Sequence, residues 1–336
     1  MAHDSTPNPQ LAIILEAIQN RDYPDSIEQI KAYVAILETE ERFYPARQLL
    51  SQAREKYRSI RQFQSEPTAV NWWQTDAAQD EVWITQKQAF FTYKNPELPP
   101  RTRFIDSLLL LDEIGLRDST NRDAETLALG GSIYKRKWQH FGQLEDLIEA
   151  LFFYRAAFER NPQQDKGYGG VNAALILDIL ADRAKQIARR SGIKLNESEA
   201  SNFSAQAAAI RQNMVLQVPV WQTELEQLPE SEHFWPQITF AEIYFGLQQY
   251  DQAKEWLQKA NVAHAINWKK QTIYSQLLQI ARLQDLMIPK ESDQPENWLP
   301  VWQILALIIG EDNAQRAFSS GTGKVGLSLS EIGRAS

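Results

Sequence analysis

The chain has 336 residues, 43% of them hydrophobic, and a formal net charge of −8. The negative charge and the lack of a basic run that could follow a phosphate backbone argue against nucleic-acid binding. The absence of cysteine excludes disulfides, thiolate metal ligands and cysteine nucleophiles, and it fits the reducing cytoplasm in which we expect the protein.

Helical periodicity, interrupted by proline and glycine, predicts helices along most of the chain. Outside the repeats described below, the predicted helices cover 9–20, 171–190, 201–217, 268–286 and 298–309, and the predicted loops cover 63–80, 192–200, 227–234 and 287–296. The helix at 201–217 is predicted to stop before Pro219, because proline inside a helix removes a backbone donor. Only the tail after 319 departs from this pattern, since KVGLSLS alternates like a single strand.

Four segments share the spacing of one helix pair, at 33–53, 82–114, 124–162 and 237–265. In the last of them, QITFAEIYFGLQQYDQAKEWLQKANVAHA, the small residues Ala241 and Ala253 stand where two helices must approach closely. Tyr244 and Leu257 are the large residues that fill the space beside them. This is the pattern of the tetratricopeptide repeat, and it predicts an all-α, tetratricopeptide-like α-solenoid of antiparallel helix pairs.

No motif in the sequence supports catalysis. Ser328 lacks the second glycine of a nucleophile elbow, and the Gly-Thr-Gly-Lys run at 321–324 lacks the rest of a phosphate loop. None of the four histidines has a second ligand at zinc spacing. We therefore predict that the chain is not an enzyme and has no catalytic residue, cofactor or metal site.

The candidate contacts for a partner lie between 134 and 172: Tyr134, Lys137, Arg155, Tyr168 and Asn172. Lys137 belongs to a basic cluster at 135–137, which either binds an acidic partner or a phosphate group, or solvates its helix. Asn172 either caps a helix that begins near 173 or lines a groove. The adjacent Trp72 and Trp73, predicted in a loop, either anchor a partner or fold back onto the helices.

Longer stretches resemble a known family. The runs are WITQKQAFFTYKNPELPPRTRFIDSLLLLDEIGL, ETLALGGSIYKRKW, YRAAFERNP, GYGGVNAALILDILA and FAEIYFGLQQYDQAKEWLQKA. Together they are similar to the bacterial tetratricopeptide-like domain related to the TRAF-binding region of the apoptosis signal-regulating kinases. The resemblance covers about 80–290 and implies a helical module for protein interaction and regulation, often fused to an effector domain.

The tail GKVGLSLSEIGRAS is similar to the opening of a patatin-like phospholipase, in which a strand and a glycine-rich loop form the oxyanion hole. Glu331 and Ile332 replace glycines of that loop, and the nucleophile elbow and catalytic aspartate do not follow. This resemblance implies that the chain is the truncated regulatory part of such a lipid acyl hydrolase.

The predicted organisation has four parts. These are an N-terminal helical repeat region at 1–80, the TRAF-binding-like tetratricopeptide region at 81–290, capping helices at 291–318, and a linker with a remnant strand of an effector domain at 319–336. We predict a non-catalytic scaffold that binds a peptide or helix of a protein partner, or a tethered effector domain, in a solenoid groove. The alternatives are the regulatory part of a hydrolase, or a sensor of a small phosphorylated ligand that uses Lys135 and Lys137. The most apolar window, 298–310, is too short to cross a bilayer, so we expect no integral membrane segment.

Overall fold

The structure is a computed structural model that describes residues 9–64, 71–191, 194–265, 267–284, 299–311 and 313–314. Within these residues the chain forms fourteen α-helices and four single 3-10 turns, and no strand. The helices are α1 (Pro9–Gln19), α2 (Ile27–Thr39), α3 (Phe43–Gln64), α4 (Gln79–Lys94), α5 (Pro100–Glu113), α6 (Ala124–Phe141), α7 (Leu144–Arg160), α8 (Pro162–Asp165), α9 (Tyr168–Ser191), α10 (Lys194–Leu225), α11 (Phe234–Gly246), α12 (Tyr250–Lys259), α13 (Asn267–Leu283) and α14 (Leu299–Ile309).

Helices that follow one another in the chain pack against each other, as in α4 with α5, α9 with α10 and α11 with α12. The predicted all-α, tetratricopeptide-like class of antiparallel helix pairs is thereby confirmed. The helices predicted at 9–20, 171–190, 268–286 and 298–309 correspond to α1, α9, α13 and α14, with ends that differ by a few residues. No helix in the described ranges combines the length and the apolarity needed to cross a bilayer.

The chain divides into two compact units, the first ending at Lys137 and the second beginning at Trp138, inside α6. In the first unit, apolar side chains from α1 to α4 form one core, with Ile30, Leu37 and Ile84 at its centre. The four-part organisation predicted from the sequence is not tested by this division and stays a prediction.

The second unit has its core around the repeat predicted at 237–265, which forms α11 and α12. The small residues Ala241 and Ala253 are fully buried, as the repeat spacing predicts, and so is Leu257. Phe240 stacks on Trp221 of α10, with ring centroids 6.2 Å apart and planes within 10°. The repeat therefore extends its core onto the helix that precedes it.

Close contact between α9 and α10 depends on a residue without a side chain. A Cβ atom at Gly170 would overlap the sulfur of Met214 on α10. Met214 is itself fully buried. The small residues of the GYGG segment thus let two helices approach, as expected for a helical repeat.

The predicted end of a helix before Pro219 is wrong, because α10 continues through this proline to Leu225. The predicted loop at 192–200 is also wrong from 194 onward, where α10 has already begun. A proline inside a helix costs about 3 kcal/mol. Burial of Trp221 and Leu225 in the next two turns offsets this cost, since a large apolar side chain gains about 1.5–3 kcal/mol on burial.

Trp72 and Trp73 pack against the first unit. Of the two alternatives predicted for this pair, the structure shows the one in which they fold back onto the helices. The guanidinium of Arg61 lies 3.9 Å from the centre of the Trp72 ring. The indole of Trp73 covers Gly115, where a Cβ atom would overlap the ring and where the left-handed φ of +77° also favours glycine. The predicted loop at 287–296 and the predicted strand in the tail lie outside the described residues.

Candidate functional site

One face of α4 carries aromatic and basic side chains in alternation. Trp83, Lys87, Phe90 and Lys94 follow one another at spacings of four, three and four residues, which places them on the same side of a helix. The ammonium groups of Lys87 and Lys94 lie 5.4 and 5.8 Å from the centre of the Phe90 ring. All four side chains are partly exposed. We refer to these four residues as the α4 face.

Two residues of α2 lie against the α4 face. The Lys87 ammonium donates a hydrogen bond of 2.9 Å to the Glu38 carboxylate. The Lys31 ammonium lies 5.4 Å from the centre of the Trp83 ring, and it also pairs with Asp80 at 3.4 Å. The charges on the N-terminal part of the α4 face therefore have partners.

Lys94, at the C-terminal end of the α4 face, lacks such a partner. In the described part of the chain, no carboxylate lies within 4 Å of its ammonium group. Burial, and then the nearby guanidinium of Arg136, lowers the pKa of Lys94 to about 8, and the more distant carboxylates of Glu41 and Glu38 oppose this effect only in part. Lys94 is thus a desolvated cation without a counter-ion.

Two more unpaired donors lie on the turn between α4 and α5. Asn95 is only 1% exposed, and its Oδ1 accepts a 3.0 Å hydrogen bond from the backbone N–H of Glu97. Its Nδ2 has no partner within the part of the chain that the structure describes. Arg103, in the first turn of α5, has a buried Nε atom without a partner. Burial and the charge of Arg136 also lower the pKa of Arg103. We call Lys94, Asn95 and Arg103 the turn cluster.

Of the residues predicted from the sequence, Tyr134 and Lys137 lie in the first unit. Tyr134 is 7% exposed, and its hydroxyl accepts a 2.5 Å hydrogen bond from the guanidinium of Arg117. The Lys137 ammonium lies 5.6 Å from the centre of the Tyr134 ring. The structure therefore brings these two residues together, with Tyr134 as a buried support and Lys137 partly exposed.

Arg155 and Tyr168 lie in the second unit and present accessible surface. Arg155 pairs with Glu159 one turn later at 2.9 Å, and it donates to Gln206 of α10 at 3.4 Å. Tyr168 is 47% exposed, and its ring meets that of Tyr154 edge-on at 6.1 Å. Both side chains are held by neighbours while part of their surface stays in contact with solvent.

The capping role considered for Asn172 is wrong. Helix α9 begins at Tyr168, so Asn172 lies in its second turn, where the buried amide donates a 3.0 Å hydrogen bond to the carbonyl of Tyr168. The cap is Asp165, a buried carboxylate that accepts hydrogen bonds from the backbone N–H of Gly169 at 2.8 and 3.0 Å. An acidic residue four positions before the first helical glycine was the available signal for this cap.

The described residues contain no group of three or more histidine, aspartate or glutamate side chains that could hold a metal ion. The segments considered for a nucleophile or a phosphate loop, around 321–330, lie outside the described ranges. The partly exposed cations and rings of the α4 face can recognise negative charge and apolar surface.

A model of a known protein family matches part of the chain. The family described as Tetratricopeptide Repeats-Sensor matches residues 66–177, which include the α4 face, the turn cluster and all five residues predicted as partner contacts. The chain therefore contains a tetratricopeptide-like domain. Neither the curated proteins nor the solved structures provide a significant match.

Proposed function

We propose that the chain is a non-catalytic interaction module whose α4 face binds an acidic segment of a protein partner. The observation that carries this proposal is the alternation of partly exposed rings and ammonium groups at Trp83, Lys87, Phe90 and Lys94. Lys94 pairs with a carboxylate of the partner, Lys87 does so in exchange for Glu38, and the rings bury apolar atoms of the partner. Similarity to a repeat family described as a sensor supports a role in recognition.

Of the residues predicted from the sequence, Lys137 is retained as a further contact in the first unit, and Arg155 and Tyr168 are proposed as separate partner contacts of the second unit. Lys137, Arg155 and Tyr168 each expose part of their side chain. Tyr134 and Asn172 are assigned a supporting role instead, since both are buried and hydrogen-bonded inside their own unit.

The resemblances in the sequence support a finer proposal about the partner. We infer a cytoplasmic protein or a tethered effector domain as the partner, rather than a nucleic acid, with the TRAF-binding-like region as the module that binds it. The patatin-like resemblance rests on residues after 319, outside the described part of the chain. The alternative of a sensor for a small phosphorylated ligand, which would use Lys135 and Lys137, has less support than a protein partner, because both residues already interact with other groups of the protein.

Affinity capture from the native organism, followed by mass spectrometry, tests the proposal. The bait proteins are the wild type, a variant with Lys87→Glu and Phe90→Ala, and the control Arg183→Glu, which reverses an exposed charge on α9 in the second unit. We expect a protein that is captured by the wild type and the control and is lost from the double variant. Equal capture by all three baits, with the double variant folded by circular dichroism, would contradict the role of the α4 face.

A further inference from the structure

We propose that the turn between α4 and α5 holds a binding site for a small oxyanion, a phosphate or carboxylate group, which accepts hydrogen bonds from Lys94, Asn95 and Arg103. This site is additional to the partner-binding surface and needs no protein partner. The proposal rests on unpaired donors, on the charge around them and on their limited accessibility.

The first argument is that two buried donors have no acceptor among the described residues. The Nδ2 atom of Asn95 and the Nε atom of Arg103 are both inaccessible to solvent and unpaired. Buried donors of this kind are rare in folded proteins, because each loses its hydrogen bonds to water without replacing them. An oxyanion supplies several acceptor positions in one compact group and would satisfy both donors.

The second argument is the concentration of positive charge. Lys94 and Arg103 share Arg136 as a neighbour, and its charge lowers the pKa of both side chains. Burial is the larger cause in each case, so the first unit holds two cations in a partly desolvated environment. Glu38 and Glu41 act on Lys94 only from a distance greater than that of a salt bridge. An anion at the turn would reduce this repulsion, whatever other contacts Arg136 makes.

The start of α5 adds further donors near Arg103. Helix α5 begins at Pro100, and Pro99 at the N-cap provides no side-chain hydrogen bond. The free backbone N–H groups of a first helical turn favour an anion at that end. The partial positive charge at this helix terminus therefore adds to the positive charge of Lys94 and Arg103.

The accessibility of the donors selects a small ligand. Asn95 is nearly inaccessible, and the unpaired nitrogen of Arg103 is buried, so a bulky peptide backbone cannot reach them without a rearrangement. Neither donor atom is accessible to solvent in this conformation, so an anion binds only when the turn opens locally, and a single phosphate or carboxylate group needs the smallest opening. Lys94 belongs to both the α4 face and the turn cluster, so the two proposals are tested apart, through Lys87 and Phe90 for the α4 face and through Asn95 and Arg103 for the anion site.

The first experiment measures anion binding by the full chain without a partner. Sodium phosphate and sodium malonate are titrated by isothermal calorimetry at constant ionic strength, which is adjusted with sodium chloride. The variants are Arg103→Met and Asn95→Asp, and the matched control is Arg101→Met, which removes an exposed cation two residues away on the same helix. We expect saturable binding by the wild type and the control, and a loss of affinity of about tenfold or more in both variants, as for a lost charge-assisted hydrogen bond.

The second experiment uses the wild-type protein, so it does not depend on the folding of a variant. Lysine labelled with 13C at Cε reports the titration of Lys94 by nuclear magnetic resonance, with the signal assigned from Lys94→Arg. The bound anion is expected to raise the midpoint of this titration from about 8. Saturation by phosphate alone or by malonate alone identifies which oxyanion the site takes. Absence of saturable binding by both, an equal loss of affinity in Arg101→Met and Arg103→Met, or a Lys94 titration that the anions leave unchanged would overturn the proposal.

Discussion

Replacement of Lys94 by methionine is expected to stabilise the first unit. The folded state lowers the pKa of this lysine from 10.5 to about 8. At about 1.4 kcal/mol per pH unit, this difference corresponds to a cost of about 3 kcal/mol for holding the charged form in the folded chain. Because the side chain is partly exposed, solvent screening reduces the cost, and we expect a gain of about 1–2 kcal/mol in the Lys94→Met variant.

The pH dependence of this gain has a definite sign. Below pH 8 both states carry the proton, and the folded wild type bears the whole cost of the buried charge. Between about pH 8 and 10.5 the folded state loses its proton while the unfolded state keeps it, so the wild type gains stability as the pH rises. The advantage of Lys94→Met over the wild type therefore shrinks across this window and is smallest above it.

Urea unfolding at pH 7, 8, 9 and 10, followed by tryptophan fluorescence, measures this difference. The buffers must contain neither phosphate nor carboxylate, because a bound anion would offset the cost of the charge. Lys87→Met is the control, since Lys87 has a carboxylate partner at 2.9 Å and its loss is expected to change stability by less than about 1 kcal/mol. A Lys94→Met variant that is less stable than the wild type at pH 7, or a difference that stays constant from pH 7 to 10, would refute the reasoning.

Three further substitutions test the second unit. Gly246→Ala places a Cβ atom against the side chain of Arg211, which is 3% exposed and ion-paired, so we expect thermal unfolding to show a loss of about 3 kcal/mol in stability. The control Gly142→Ala, at a left-handed residue with open space around it, is expected to lose only about 1 kcal/mol. Equal losses in the two variants would contradict the steric argument. Tyr250→Phe removes a buried hydroxyl that has no partner, so the melting temperature is expected to stay constant or rise, and a clear drop would reveal a missed hydrogen bond. Tyr168→Ala is expected to weaken capture of the partner at least about fivefold with a change in stability below about 1 kcal/mol, and unchanged capture would remove Tyr168 from the contact surface.

The sequence predicts the parts of the fold that depend on local spacing. The repeat at 237–265 has Ala241, Ala253 and Leu257 at positions that are buried in any helix pair of this kind, and all three are fully buried. Residues nearby in the chain determine these positions, so no knowledge of distant contacts is needed. The same reason explains why the bounds of α1 and α14 follow closely from proline and periodicity.

Features that depend on distant residues could not be predicted in this way. The continuation of α10 through Pro219 depends on the stacking of Trp221 against Phe240, which lies 19 positions further along the chain. The role of Asn172 was missed because its helix begins at Tyr168, five residues before the start near 173 that a capping role requires, at a cap provided by Asp165. Local propensity is weak compared with burial, so a helix can override a proline when the side chains beyond it enter a core.

The candidate site shows the same difference between local and distant information. A continuous basic run at 135–137 attracts notice in a sequence, but its residues surround a helix that directs Tyr134 inward, and its members are partly buried among contacts of their own. The turn cluster contains one lysine, one asparagine and one arginine spread over ten positions, with no run of charge. These residues differ from the basic run because donor atoms of Asn95 and Arg103 are buried away from water and have no hydrogen-bond partner among the described residues. Burial without a hydrogen-bond partner is a property of the folded structure. The binding site proposed at the turn therefore follows from the structure and not from the pattern of residues.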